Sequence, residues 1–297
     1  MMSLPSRHRR LSLTRLAIYF ALAIWSLLCI IPLYWLTLAS LKSVTDLDGR
    51  PRFLPLIDFI PDLYAWRFIL LDPVESLIPR FFNSLVISAG PAIITVMMAV
   101  LSFYGMTRYR SSHFFTDRYR SVIFLVVIAL RLVSPALVAL PAYLLATQLH
   151  IIDTHSLLIG LYSAFNYPLA LLLVSPVLRW RPTVEEESAR LEGASHLRII
   201  TDILLPMNRA HLTTIGLFLF LLSWNEYLFA SYLTYHDAET LTPWVVSQLS
   251  LKEAQTGGGS EDIAHVAAAA IFMAMPAILL AVSLQRLVKT LIGRSLE

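Results

Sequence analysis

The chain has 297 residues, of which 57% are hydrophobic and 14% are charged, whereas an average soluble domain has about 25% charged residues. This composition excludes a disordered chain, which is poor in apolar residues and rich in charge, and the single cysteine excludes an intrachain disulfide framework. The mean hydropathy of +0.67 and the net charge of only +3 are typical of a helical membrane protein with several spans.

Six apolar runs are long enough to cross a bilayer, whose hydrocarbon core takes about 20 residues of helix. They are unbroken, unlike the alternating segments of about ten residues that build a membrane β-barrel. The first run is too long for the core of a cleavable signal peptide, so we expect a retained helix. The sequence predicts an all-α fold with six transmembrane helices at about 16–39, 82–106, 121–147, 157–178, 211–234 and 264–288.

Lysine and arginine are distributed unevenly between the two sides that these spans define. The N-terminal segment, the segments after spans two and four, and the C-terminal segment hold 16 of the 23 basic residues, and the opposite side holds six. Because short cytoplasmic segments carry the excess of basic residues, we expect both termini in the cytoplasm. The chain then consists of a cytoplasmic tail, 1–15, and a membrane domain, 16–292.

The two long segments on the predicted outer side carry no pattern for nucleotide or metal binding. The segment 40–81 is rich in proline, which disfavours a continuous helix, and it is either a connector or a surface that contacts another protein. The segment 235–263 contains Gly257-Gly258-Gly259-Ser260, but a phosphate-binding loop also needs a Gly-Lys-Ser/Thr ending. We therefore predict no catalytic residue, no metal site and no cofactor bound by this chain.

The cytoplasmic segment between spans four and five is too charged to cross a membrane. Pro182 and Thr183 are typical of a helix start, and Glu185, Glu186 and Glu187 lie in the first turn, where carboxylates suit the helix dipole. We expect Gly193 to interrupt the helix and Pro206 to end it. Such an amphipathic helix pair over 185–206 binds either lipid headgroups or a partner protein, and its acidic first turn favours a protein.

This segment resembles the EAA loop of permease subunits from ABC importers that depend on a solute-binding protein. The family pattern is Glu-Ala-Ala, three residues, Gly, nine residues, then Ile-x-Leu-Pro, and only the middle alanine differs here. The resemblance implies that the segment couples a partner ATPase to the spans. The residues that match the pattern, or replace it, are Glu187, Ser188, Ala189, Gly193, Ile203, Leu205 and Pro206.

Shorter stretches are also similar to the family, in particular to the carbohydrate group represented by the smaller permease subunit of the maltose transporter. These are Ser40-Leu41-Lys42, Asn83-Ser84 and Trp224-Asn225-Glu226. The resemblance implies a non-catalytic subunit of a bacterial inner-membrane importer for a sugar, glycoside or related polyol. It implies as partners a second homologous permease, two ATPase subunits that bind ATP and Mg²⁺, and an extracellular or periplasmic solute-binding protein.

Several polar residues within the predicted spans are candidates for the solute pathway. A charge in a span is costly, so Arg131 either lines a pathway or pairs within the assembly, with Glu226 as its most obvious partner in this chain. The other candidates combine aromatic and amide groups, which suit a sugar but also suit packing between helices. The candidates are Arg131, Asn166, Tyr167, Trp224, Asn225 and Glu226.

Two other classes of function remain open on the residues alone. A stand-alone secondary transporter needs its own ion-coupling site and leaves the pattern at 185–206 without a role. An intramembrane enzyme needs paired catalytic groups, which Arg131 and Glu226 alone do not specify. The sequence identifies neither the solute nor the permease subunit that holds it.

Overall fold

The computed structural model describes residues 13–47, 52–72, 76–108, 117–179, 184–247 and 260–294, and these are almost entirely helical. The helices are α1 Leu13–Ser40, α2 Val44–Leu47, α3 Tyr64–Leu71, α4 Leu77–Arg108, α5 Asp117–Leu130, α6 Pro135–Gln148, α7 His155–Arg179, α8 Val184–Leu191, α9 His196–Arg198, α10 Leu205–Trp224, α11 Leu228–Leu233, α12 241–247 and α13 Ser260–Arg294. They form two compact units, Met1–Glu75 with Leu251–Phe272 and Ser76–Ser250 with Met273–Glu297.

The first unit holds α1, an apolar helix whose residues 15–35 are exposed. The segment that follows it folds around the ammonium group of Lys42, which donates a hydrogen bond to the carbonyl of Arg52 over 2.8 Å. This group also lies over the rings of Trp35 and Phe59, so its charge is stabilised by π faces. Burial lowers the pKa of Lys42. The lysine of the Ser-x-Lys stretch is therefore a structural anchor for 52–59.

The second unit is built on α4, α7 and α10, which pack against one another. Gly90 of α4 allows a close approach to α7, because a Cβ at this position would lie 3.3 Å from the Ile159 side chain. Leu158, Leu171 and Leu219 are fully buried at these contacts. This helical core positions the two ends at which the polar side chains gather.

The prediction of an all-α membrane fold is confirmed. Among the described residues, five helices are long and apolar enough to cross a membrane, and a bent pair makes a sixth. The prediction of a single helix over 121–147 for the third span is wrong, because this region consists of the two helices of that pair. The chain turns at 131–134, and α5 and α6 meet at 83°. The physical reason is Pro135, since the residue before a proline disfavours helical conformation and proline lacks an N–H donor.

The predicted boundaries of the fifth span are also wrong. Pro206 does not end a helix, because helical backbone continues from His196 to Trp224. A π-helical stretch, Ile199–Leu204, ends two residues before Pro206, and the N–H of Leu205 donates to the carbonyl of Ile200. This wide turn accommodates a proline, which would crowd the carbonyl one turn earlier in an α-helix. At the other end α10 stops at Trp224, ten residues before the predicted end.

Some predictions concern residues outside the described ranges. These are nearly all of the tail 1–15, the helix start at Pro182 and Thr183, and the glycine-rich stretch at 257–259.

Candidate functional site: a coupling segment and its anchor

The segment 184–204, which the resemblance predicts to couple a partner ATPase to the spans and which we call the coupling segment, forms a helix–turn–helix whose turn depends on Gly193. Gly193 has φ +86°, a conformation that costs an L-residue about 1–2 kcal/mol. Its N–H donates to the carbonyl of Arg190, and the N–H of Ala194 donates to that of Ala189. This is a Schellman ending of α8. The Ser195 hydroxyl then accepts from the N–H of Arg198 and caps the next helix.

One face of α8 is held against the C-terminal end of α4 by charged and aromatic side chains. Glu186 is buried, and its Oε2 lies 3.3 Å from Nε of Arg108. Nη2 of Arg190 donates to the hydroxyl of Tyr104 and to the carbonyl of Arg108, each over 3.1 Å. Nδ1 of His196 lies 3.0 Å from the same Tyr104 hydroxyl. We call Tyr104, Arg108, Glu186, Arg190 and His196 the anchor cluster.

The Tyr104 hydroxyl is shared within the anchor cluster. A guanidinium only donates hydrogen bonds, so the hydroxyl accepts from Arg190 and its own proton is available to Nδ1 of His196. Tyr104 thereby joins α8 and α9 to one atom of α4. Both helices are therefore positioned by the end of a membrane-spanning helix.

Two opposing effects determine the pKa of Glu186. Burial raises the pKa of its carboxyl group, and the charges of Arg108 and Arg190 oppose that increase. The pKa remains raised because the free energy lost when the carboxylate leaves water exceeds the free energy gained from its interactions with Arg108 and Arg190. Protonation therefore favours the docked position of α8.

The opposite face of the segment is exposed. Glu187 and Ser188 are exposed, and Leu191 and Leu197 are 90% and 67% exposed. Large apolar side chains presented next to acidic ones are typical of a surface that receives a partner. Of the remaining predicted residues, Gly193 and Pro206 are exposed, and Ala189, Ile203 and Leu205 are half-buried.

The pathway candidates are distributed over separate places in the second unit. Asn166 is buried and its Nδ2 donates to the Ser223 hydroxyl over 2.9 Å. Tyr167 donates to the Ser102 hydroxyl over 2.8 Å. Trp224 donates from Nε1 to the carbonyl of Met273. These contacts join neighbouring helices, so the packing alternative accounts for all three side chains.

Glu226 caps a helix instead of facing Arg131. It accepts hydrogen bonds from the hydroxyl of Tyr162 over 2.6 Å and from the N–H groups of Phe229 and Ala230 at the start of α11. Arg131 is half-buried in the break between α5 and α6, and no ion pair joins it to Glu226 in the described part of the chain. Asn225 bonds its own helix through the carbonyl of Leu221 and is exposed.

A groove of about 730 Å³ runs between α4, α10 and the 275–280 part of α13. Its walls are apolar apart from Arg209 and Thr213, and none of the six pathway candidates lines it. A sugar needs hydrogen-bonding groups on the walls of its site. This groove therefore does not have the chemistry of a solute site.

Residues 110–294 match the family described as binding-protein-dependent transport system inner membrane component. The match covers more than half of the chain and includes the coupling segment. The chain belongs to this family. It is accordingly a multi-pass membrane permease subunit of a transport system.

Full-length relatives agree with this membership. A maltodextrin transport system permease of Bacillus subtilis is 28% identical over 275 residues, which are 92% of this chain and 92% of the relative. A melibiose/raffinose/stachyose import permease of the same organism is 27% identical over 258 residues, or 86% and 87% of the two chains. A trehalose/maltose permease of Thermococcus litoralis is 24% identical over 279 residues, or 92% and 93%.

The fold of this permease also matches solved structures. A bacterial ABC transporter that imports the acidic polysaccharide alginate gives a TM-score of 0.71 at 18% identity, covering 95% of this chain and 99% of that one. The same type of transporter in complex with its alginate-bound periplasmic protein gives a TM-score of 0.61 at 14% identity, covering 96% and 98%.

Sequence reasoning about this permease missed the anchor cluster. The motif directed attention to Glu187, but the buried carboxylate is its neighbour Glu186. A helical projection of 184–191 could have found it, because Glu186 and Arg190 are four residues apart and share one face. Their partners on α4, Tyr104 and Arg108, are more than 75 residues earlier in the chain, and no local pattern connects them.

Proposed function

We propose that this permease moves a sugar, glycoside or related polyol into the cytoplasm. The support comes from the relatives that cover most of the chain, which are named for the import of maltodextrin, of melibiose, raffinose and stachyose, and of trehalose and maltose.

The observation that carries the proposed mechanism is the two-sided form of the coupling segment. Its anchored face is fixed to α4 by the anchor cluster, and its free face presents Glu187, Leu191 and Leu197. A partner ATPase that closes on ATP and Mg²⁺ displaces the free face, and the anchored face passes that displacement to α4. The ATPase state with the higher affinity for this face then selects one of two orientations of the spans.

The proposed assembly follows from this role. It contains this chain, a second homologous permease, two ATPase subunits and a solute-binding protein on the outer side. Both termini and the coupling segment lie in the cytoplasm, as the excess of basic residues on that side supports. Nucleotide and Mg²⁺ bind to the ATPase subunits, and this chain contributes no catalytic group.

Reconstitution of the complete complex tests the proposal. We expect ATP-dependent uptake of a labelled oligosaccharide into proteoliposomes, and ATP hydrolysis that increases when sugar-loaded binding protein is added. The matched control is the same complex with ATP replaced by a non-hydrolysable analogue, which should abolish uptake. Uptake by this chain alone, driven by an ion gradient without ATP, would instead establish the secondary-transporter alternative.

A further inference from the structure

A segment that links α11 to α12 is organised by one carboxylate. This segment, 234–240, forms bends without regular hydrogen bonding, and we call it the strap. The Asp153 carboxylate accepts from four successive backbone N–H groups of the strap, at distances of 2.9 to 3.2 Å. Those N–H groups belong to Tyr235, His236, Asp237 and Ala238.

Asp153 is itself held firmly in the turn between α6 and α7. Its φ is +58°, and its N–H donates to the carbonyl of Leu233 over 3.0 Å. The side chain is buried, and its charge is stabilised by the four converging N–H dipoles, as in an anion-binding nest. This carboxylate therefore holds four successive residues of the strap in one conformation.

The other border of the strap is tied to the start of α4. Nδ2 of Asn83 donates to the carbonyls of Asp237 and Glu239, each over 3.0 Å. The Ser84 hydroxyl accepts from the N–H of Leu241, and Nε of Arg80 donates to Glu239 over 2.6 Å. The Asn-Ser stretch of the family resemblance thus contacts the strap.

The strap and the anchor cluster lie at opposite ends of α4. From Asn83 to Arg108 the helix extends about 37 Å at 1.5 Å per residue, which exceeds the hydrocarbon core of about 30 Å. With the coupling segment in the cytoplasm, the strap is on the outer side. Its backbone is fixed, while the side chains of His236 and Asp237 are 86% and 81% exposed and Tyr235 is exposed.

We infer that Asp153 is a positioning residue for transport, because it presets the strap as a surface on which the solute-binding protein docks. This inference rests on the proposed function. A rigid loop that exposes an aromatic side chain binds with a smaller loss of conformational entropy than a flexible one. The strap's links to α4 then connect docking at the outer side with the helix that carries the anchor cluster.

The test is the ATP hydrolysis rate of the reconstituted complex, measured against the concentration of sugar-loaded binding protein. Asp153→Asn removes an acceptor oxygen and the charge that organises the strap. We expect the half-saturating concentration to rise about tenfold, because the oxygen replaced by the amide group accepts two of the four hydrogen bonds from the strap, with little change in the maximal rate. The matched control is Asp58→Asn, which makes the same change at a carboxylate outside the strap that also accepts two backbone N–H groups and should change this concentration less than twofold.

Other outcomes overturn the inference. An unchanged half-saturating concentration in Asp153→Asn, or an equal rise in Asp153→Asn and Asp58→Asn, would show that preset geometry has no role. If Asp153→Asn does not assemble, Tyr235→Ala and His236→Ala alter only exposed side chains, and a normal response in both would exclude the strap as a docking surface. A wild-type complex that does not respond to the binding protein would contradict the proposed function and this inference with it.

Discussion

Arg190 in α8 donates a hydrogen bond to the hydroxyl of Tyr104 in α4, over 3.1 Å. The two residues are 86 positions apart in the chain, yet this contact fixes the coupling segment to a membrane helix. The Tyr104 ring is buried and meets the His196 ring edge to face, with centroids 5.9 Å apart. A displacement of α8 or α9 must therefore move α4 or break this contact.

Removal of the Tyr104 hydroxyl should loosen the coupling segment. Tyr104→Phe deletes an acceptor of Arg190 and leaves a half-buried guanidinium with one partner fewer, at a cost of about 1.5–3 kcal/mol for a hydrogen bond to a charged group. We expect faster hydrogen exchange in 184–204 and less sugar transported per ATP hydrolysed. The matched control is Tyr167→Phe, which loses a hydroxyl contact to Ser102 and leaves the anchor cluster intact. Equal exchange in both variants would exclude the role of Tyr104.

Substitutions of Gly193 should reduce transport according to how poorly the new residue adopts a positive φ, and not according to the size of its side chain. A Cβ at this position meets nothing within 4 Å, so the only penalty of Gly193→Ala is the positive φ, about 1–2 kcal/mol. Gly193→Asn should retain more transport, because asparagine tolerates the left-handed region. Uptake rates of the two variants check this order. Gly160→Ala, in helical α7 with equally open space, is the control and should be neutral, and greater loss in the Asn variant would contradict the account.

Acid should tighten the docking of α8. The pKa of Glu186 is raised by burial, so the favourable neutral form is present below the ordinary carboxyl pKa and is lost as the pH rises through the folded value. After correction for intrinsic exchange rates, we expect greater protection of 184–191 at pH 5 than at pH 7.5. The difference should disappear in Glu186→Gln. If attraction between Glu186 and Arg108 were the larger effect, protonation would weaken the docking of α8, and protection of 184–191 would be lower at pH 5 than at pH 7.5.

The sequence was sufficient for the fold class, since six long apolar runs allow few alternatives. The sequence was insufficient to predict where helices break, because the effect of a proline on a helix depends on the residues around it. Pro135 breaks the third span, whereas Pro168 and Pro276 lie inside continuous helices, because a membrane helix tolerates a proline where neighbouring groups satisfy the freed backbone carbonyls. Pro206 was expected to end a helix, but a π turn absorbs it.

The candidate site was only partly accessible from sequence. The sequence predicted the interruption at Gly193, because the signal for it is local, and the coupling role of the segment stays a prediction. Glu226 was expected to face Arg131 or the solute, but it caps α11 and accepts from Tyr162. The first N–H groups of a helix have no partner within it and can bond to a carboxylate that lies just ahead of the helix, but this could have been recognised only if the end of α10 at Trp224 had been foreseen.

Glu226 should therefore contribute to stability. Glu226→Ala removes the acceptor of Tyr162 and of two N–H groups, and we expect a loss of about 1–3 kcal/mol because a buried donor is left unsatisfied. A lower midpoint of thermal inactivation in nanodiscs checks this. Asn225→Ala is the neighbouring control and should shift the midpoint little, because its amide is exposed. Unchanged stability with abolished sugar uptake would instead place Glu226 in the solute pathway.

The central claim is that the exposed face of α8 and α9 contacts the partner ATPase. Cys29 is the only native cysteine, so a Cys29→Ser background allows single cysteines to be cross-linked to the assembled complex with a short bifunctional reagent. Leu191→Cys and Leu197→Cys should cross-link to the ATPase, with a yield that changes when ATP is bound, whereas Tyr235→Cys on the strap should give no such product. Cross-links to the ATPase from Tyr235→Cys and none from Leu191→Cys or Leu197→Cys would contradict the account.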